Sequence, residues 1–223
     1  MTERTTPDMS SDGPPTAPLS PRLARARMAV SRHAAALFWE RGVAATSGDD
    51  IAEAAGVSPR SVWRYFRSKE SCVEPLLAAS VYRFMAALDR WPLGSSLEEF
   101  LLAELSDDPS SPEQIEDDLS ALRMIALAAT EPAIRSAWLM VCDEAERQLV
   151  TVVARRLDLT TTNPQVRVCA AAATAAVRVV NEDISIAALR DHQQFTAAEV
   201  IHRLADAVRA STAETGFAGP ARS

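Results

Sequence analysis

The chain has 223 residues, 48% apolar and 24% charged, with a net charge of −7, the balance of one or two ordinary globular domains with enough chain to bury a core. Only 7 glycines and 5% aromatics argue against a sheet-rich sandwich or barrel and for helices. No run approaches the roughly 20 apolar residues that span a bilayer, the acidic, proline-bearing start lacks the apolar stretch of a signal peptide, and Cys72, Cys142 and Cys169 form neither a disulfide framework nor a zinc pattern, so the expectation is a cytoplasmic protein with no membrane partner, metal or cofactor.

Residues 1–20 hold Pro7, Pro14, Pro15 and Pro18 among Ser, Thr and Asp at a net −2 and are read as a disordered tail. Residues 21–72 carry nine Lys or Arg against five Asp or Glu, a net of +4, and residues 73–223 a net of −9. A basic unit joined to an acidic remainder is the asymmetry of a DNA-binding head on a body that avoids DNA. From Pro21 to about Arg41, Leu23, Ala26, Val30, Ala34, Leu37 and Phe38 recur at helical spacing, and Gly42 stops the pattern. Ser47-Gly48-Asp49-Asp50 is a capping box that opens a short helix ended by Gly56. Ser58 caps the next, from Pro59 to about Phe66, with proline where its missing N–H costs nothing. Ser68 caps a longer helix from Lys69 to about Trp91. Further helices are predicted near 96–106, 112–129, 131–158, 164–190 and 197–212, with 107–111 a mobile loop and 213–223 a flexible tail.

The two short helices joined around Gly56-Val57-Ser58 have the helix-turn-helix pattern, whose second helix enters the major groove. On a 100° wheel, Val62 and Phe66 share one side, while Trp63, Arg67, Arg60, Arg64 and Ser61 share the other. Guanidinium forks suit guanine edges, and hydroxyl and aromatic groups reach phosphate. Arg60 and Lys69 both fall in first helical turns, where the dipole disfavours cations by about 0.3–1 kcal/mol unless a phosphate is there to meet them. A solvated basic face is the plain alternative, but caps, wheel and turn agree on a groove reader.

The stretch from Ala24 to Leu76 resembles the DNA-binding domain of TetR-family transcriptional regulators. The resemblance is carried by the runs Ala36–Gly42 (ALFWERG), Thr46–Ser58 (TSGDDIAEAAGVS) and Pro59–Glu70 (PRSVWRYFRSKE). It implies an all-α homodimer on a palindromic operator, released by a small ligand. It also implies that Ser47 touches phosphate, Arg60 and Ser61 face bases, Trp63 and Tyr65 meet the DNA backbone, and Lys69 holds a phosphate. Arg64 joins this set on the wheel alone. Two positions depart from the family pattern: Gly48 stands where an apolar residue is usual, and Trp63 where tyrosine or phenylalanine is commoner.

The fold expected is a helix-turn-helix bundle over 21–72, joined by a long helix to an all-helical ligand-binding and dimerisation domain over 73–212. A pocket between body helices is the natural ligand site. The candidates are Trp91, Arg123, Met124, Trp138, Met140, Cys142, Arg178 and Asn181, which fit an amphipathic or anionic effector. The run 168–180 is apolar all round and reads as buried on every side. It and the last helix are expected to pair with their copies across a two-fold axis. Other readings are weaker. His33, His192 and His202 lack metal-ligand spacing, and no Gly-rich phosphate loop, HExxH or Gly-x-Ser-x-Gly is present, so an enzyme is not expected. A redox sensor through Cys142 and Cys169 lacks a nearby cation. Repression and activation by the same fold are not distinguished by sequence.

Overall fold

The computed structural model describes residues 20–107 and 111–219; the expected tail over 1–19, the centre of the expected 107–111 loop and residues 220–223 lie outside the described residues. The elements are α1 (Pro21–Arg41), α2 (Gly48–Ala54), α3 (Pro59–Tyr65), a 3-10 turn (Glu70–Val73), α4 (Glu74–Asp89), α5 (Leu97–Asp107), α6 (Pro112–Leu127), α7 (Pro132–Leu157), α8 (Pro164–Arg190), α9 (Ala197–Ser211) and a last 3-10 turn (Ala213–Thr215). Among the described residues there is no strand. The all-α architecture is the one the sequence predicts.

The long helix expected from Lys69 to Trp91 is divided. Pro75 offers no N–H to the carbonyl of Ser71 and its ring would crowd it, so the α-helix begins at Glu74 with proline in its first turn. Ahead of it, Ser68 and Ser71 cap each other: each hydroxyl accepts the other's backbone N–H at 3.1 Å. Glu70–Asp89 is long and apolar enough to cross a membrane by length and composition alone, at mean hydropathy 1.2, contrary to the sequence expectation. Leu76, Leu77, Ala78, Met85 and Leu88 are nonetheless buried among neighbouring helices, as in the core helix of a globular protein.

Two apolar cores result. The first joins Val30, Ala34 and Phe38 of α1 to Ile51, Val62, Leu76 and Leu77, and continues through Met124, Ile134 and Trp138. Packing is therefore continuous across the expected boundary at 72/73. The second joins Met85, Leu88 and Trp91 to Phe100, Leu149, Val152, Val166, Cys169, Ala170 and Val208. Its last members, Phe217 and Ala218, lie in the segment expected to be a flexible tail. Phe217 is buried and meets Trp91 edge-on at 5.4 Å, and the Leu97 N–H donates to the Ala218 carbonyl at 3.1 Å. Arg156 closes this corner. Its guanidinium lies 3.4 Å from the Trp91 ring centroid and donates to the carbonyls of Phe217, Pro92 and Ser95.

Two helices take their facing from distant partners. On α6, Asp117 turns inward to Arg32 and Asp118 to Arg83. That rotation leaves Ile115 and Leu119 exposed and buries Ala121, Met124, Ile125 and Ala128. On α8, Val166, Cys169, Ala170 and Ala173 are buried against the body, but Val168, Ala175 and Val179 are exposed, Val168 at 69%. The expectation of burial on every side does not hold within one chain, because α6, α7 and α9 cover only part of the helix.

Candidate nucleic-acid interface and interhelical cavity

Local chemistry places the α2–α3 unit. Ser47 accepts the Asp50 N–H at 3.1 Å and returns its own N–H to the Asp50 carboxylate at 2.7 Å, the reciprocal cap the sequence announces. The Ser47 hydroxyl and then its N–H hold the Asp50 carboxyl below the ordinary value. Gly56 makes the turn at φ +65°, a left-handed conformation that costs glycine nothing. Ser58 then caps α3 by accepting the Ser61 N–H at 3.2 Å.

Val62 and Phe66 point into the core, at 0% and 5% exposure, and this fixes what α3 shows outward. Arg60, Trp63 and Arg64 are exposed. Arg60 has no hydrogen bond or ion pair among the described residues. Arg64 lies 4.8 Å from the Tyr65 ring centroid and donates to its hydroxyl at 2.6 Å, so the pair is held as one unit. Three expected contacts read differently here. Ser61 is half-buried and its hydroxyl is 3.0 Å from that of Ser58. Arg67 lies beyond the end of α3 and pairs with Glu74, so it leaves the arginine stripe. Lys69 folds back, donating Nζ to the carbonyls of Val43 at 2.7 Å and Thr46 at 2.6 Å. It ties down the turn that presents Ser47, and an ammonium has three N–H donors, which leaves one.

A cavity of about 190 Å³ opens between α4 (Ser80, Val81, Phe84, Met85), α7 (Trp138, Cys142, Ala145, Leu149), α8 (Thr174, Val177, Arg178, Asn181) and Leu204 of α9. Of the eight candidate ligand residues, Trp138, Cys142, Arg178 and Asn181 meet there. The others do not. Trp91 is sealed into the second core with its N–H on the Ser95 carbonyl. Met124 is fully buried in the first. Arg123 lies over the Trp39 ring at 5.6 Å. Met140 is half-exposed and lines an open groove of about 460 Å³ between α1, α4 and α7. Sequence reasoning missed Glu182, which accepts from Arg178 at 3.0 Å, Arg135 at 3.4 Å and the Trp138 indole N–H at 3.2 Å. The four-residue spacing of Arg178 and Glu182 on a helix was the available signal. It also missed Thr174, whose buried hydroxyl lines the cavity without a partner among the described residues.

The cysteines are buried in separate places. Cys72 and Cys142 belong to the first core and Cys169 to the second. Burial pushes the Cys72 and Cys142 thiols up to about 12 and raises Cys169 as well. That is the reverse of the thiolate a redox sensor needs.

The sequence over this interface carries the likeness to known proteins. Residues 32–76 match the family described as bacterial regulatory proteins, tetR family. Over these residues the chain is similar to the DNA-binding segment of that family. It is 30% identical over 144 residues to the HTH-type transcriptional regulator TcmR of Streptomyces glaucescens, covering 60% of this chain and 62% of that protein. It is 52% identical over 44 residues to the HTH-type transcriptional repressor KstR2 of Rhodococcus jostii, 20% of this chain and 22% of that one. The chain thus spans under two thirds of the length of either curated relative. A tetR-family transcriptional regulator from Streptomyces coelicolor shares the fold at a TM-score of 0.50 and 20% identity, over 87% of this chain and 85% of that one. The TetR family is one of transcriptional regulators, not of enzymes.

Proposed function

We propose that this chain is a TetR-family, ligand-responsive transcriptional repressor of the cytoplasm, which binds a palindromic operator as a homodimer and is released by a small molecule. The observation that carries the reading is the bare cationic edge of α3. Arg60, free of any carboxylate, is placed to read bases, with Ser61 beside it. Trp63 and the Arg64–Tyr65 unit flank it toward the backbone, and Ser47 and the remaining N–H of Lys69 reach phosphate. The exposed apolar stripe of Val168, Ala175 and Val179 on α8 is the surface that a second copy would cover, with α9 beside it.

The interhelical cavity is the effector site in this reading. Its arginine is already neutralised by Glu182, so the effector is an uncharged, largely apolar molecule rather than an anion. It brings one hydrogen-bonding group to the unpartnered Thr174 hydroxyl and the Asn181 amide. At about 190 Å³ the cavity is below the roughly 300 Å³ at which drug-sized sites begin. A larger effector therefore has to displace α4, which carries Phe84 and Met85 into the cavity and Leu76 and Leu77 into the head core. Release follows if the ligand binds the two head spacings unequally.

Selection of duplexes from a random pool tests the reading. A dyad-symmetric winner whose binding falls uniformly across sequences with Lys69→Ala, and with a salt slope smaller by about 1, supports it. Failure to enrich any duplex ends it.

A further inference from the structure

The two departures from the family pattern, Gly48 and Trp63, meet in space. A methyl group on Gly48 would lie 2.2 Å from Cζ2 of Trp63, 2.6 Å from Cη2 and 3.2 Å from Cε2, all short of the 3.4 Å where ordinary contact begins. Gly48 is buried in ordinary helical backbone, so the indole, not a φ angle, requires the glycine. Neither helix has slack to yield. Val62, next to Trp63, is 0% exposed, and Ile51 and Ala52, one turn beyond Gly48, are 0% and 1% exposed, in a core packed at crystal-like density. Trp63 as a whole is 49% exposed, and its indole N–H has no partner among the described residues.

We propose that Gly48 and Trp63 are a size-matched pair that sets the angle between α2 and α3 and holds the indole N–H toward the DNA backbone, making Gly48 a positioning residue for operator recognition. This rests on the DNA-binding reading above. The six-membered ring of the indole, set against the first turn of α2 through Cζ2 and Cη2, takes the place of the apolar side chain the family usually carries at position 48. A side chain there either expels the ring or pries α2 from α3. Both moves shift the indole donor and, with α3, the edge that carries Arg60 and Arg64. Phenylalanine at 63 lacks the outer ring of the indole, so it leaves room for a methyl group at 48 while giving up the N–H.

The test is a double-mutant cycle in the full chain, read as affinity for the duplex the unaltered protein selects and as thermal midpoint without DNA. Gly48→Ala weakens binding by about tenfold or more and lowers the midpoint. Trp63→Phe weakens binding by about three- to tenfold. The double variant binds as Trp63→Phe does and recovers the midpoint lost to Gly48→Ala. The proposal is overturned if Gly48→Ala stays within about twofold, if the two losses multiply, or if the double variant melts no higher than Gly48→Ala. Should Gly48→Ala fail to fold, a double variant that folds supports the fit and one that does not overturns it. If the unaltered chain selects no duplex, the DNA-binding reading fails separately, and the midpoints still judge the pair.

Discussion

On the body, Arg83, Arg90, Arg135, Arg147, Arg178 and Arg209 each hold a carboxylate, while on α3 Arg60 holds none and Arg64 leans on a tyrosine. Half of the body's described arginines are neutralised in this way, whereas among the described residues neither arginine of α3 is. Simple composition conceals this, because 22 of the 23 basic residues are arginine. Acidic residues fall where the body needs them, at four-residue helical spacing and on facing helices, and are missing from the outer face of α3. In the proposed function, phosphate is the partner that the bare arginines of α3 lack, and the body's net negative charge keeps DNA off the rest of the chain.

Variants that strike one region and spare the other sharpen this comparison. The largest effect belongs to the body. Phe217→Ala removes a buried ring from the second core and is expected to cost about 3–5 kcal/mol of stability. Urea unfolding measures it, and the sequence preference on DNA stays unchanged. Arg60→Ala does the reverse: discrimination between the selected duplex and its point variants falls by about 1–3 kcal/mol while the urea midpoint holds. A loss of stability with Arg60→Ala would break the distinction between the two faces. Arg32→Ala tests the seam. Arg32 holds Asp117 through two hydrogen bonds at 2.7 and 2.8 Å and also meets Glu113, and Asp117 raises its affinity for a proton. The pair is partly open to solvent, so the loss is under about 1 kcal/mol and fades in high salt; a salt-independent loss would mean the clamp acts by packing. The smallest effect is alkaline. Cys72 and Cys142 keep their protons to about pH 12 in the fold, whereas the unfolded chain releases its thiol protons near pH 9. Stability is full below that and falls as pH rises between the two values, by about 0.4 kcal/mol per thiol at pH 9. Comparing urea midpoints at pH 8 and pH 9 with those of Cys72→Ala and Cys142→Ala isolates the term.

Much of the head was readable because its signals are local. Ser47 with Asp50, Ser58 before Pro59, and the Val62–Phe66 spacing each specify geometry within four residues. Both short helices and the outward turn of Arg60 and Trp63 follow from them. What was misread depends on partners far along the chain. Asp117 meets Arg32 across 85 residues, a pairing that no local signal announces. Phe217 meets a tryptophan 126 positions earlier, so a segment that looks like a tail by composition is core. The fit of Trp63 to Gly48 was visible only as two separate oddities, since no spacing rule states that one ring will lie on the other residue. In the body, Arg178, Asn181, Trp138 and Cys142 could be picked as bulky or polar groups on apolar helices. Whether Arg178 faced an anion or an internal carboxylate needed Glu182 in view.

The corner made by Trp91, Arg156 and Phe217 also orders events during synthesis. The first core uses nothing beyond Cys142, so the head and its supporting helices can pack while the rest of the chain is still being made, at roughly 5–20 residues per second. The second core cannot close until Ala218 has left the ribosome. A chain halted at residue 212 would carry a finished head above a body in which Trp91 lacks Phe217, so quality control of the truncated product falls to the body, not the head.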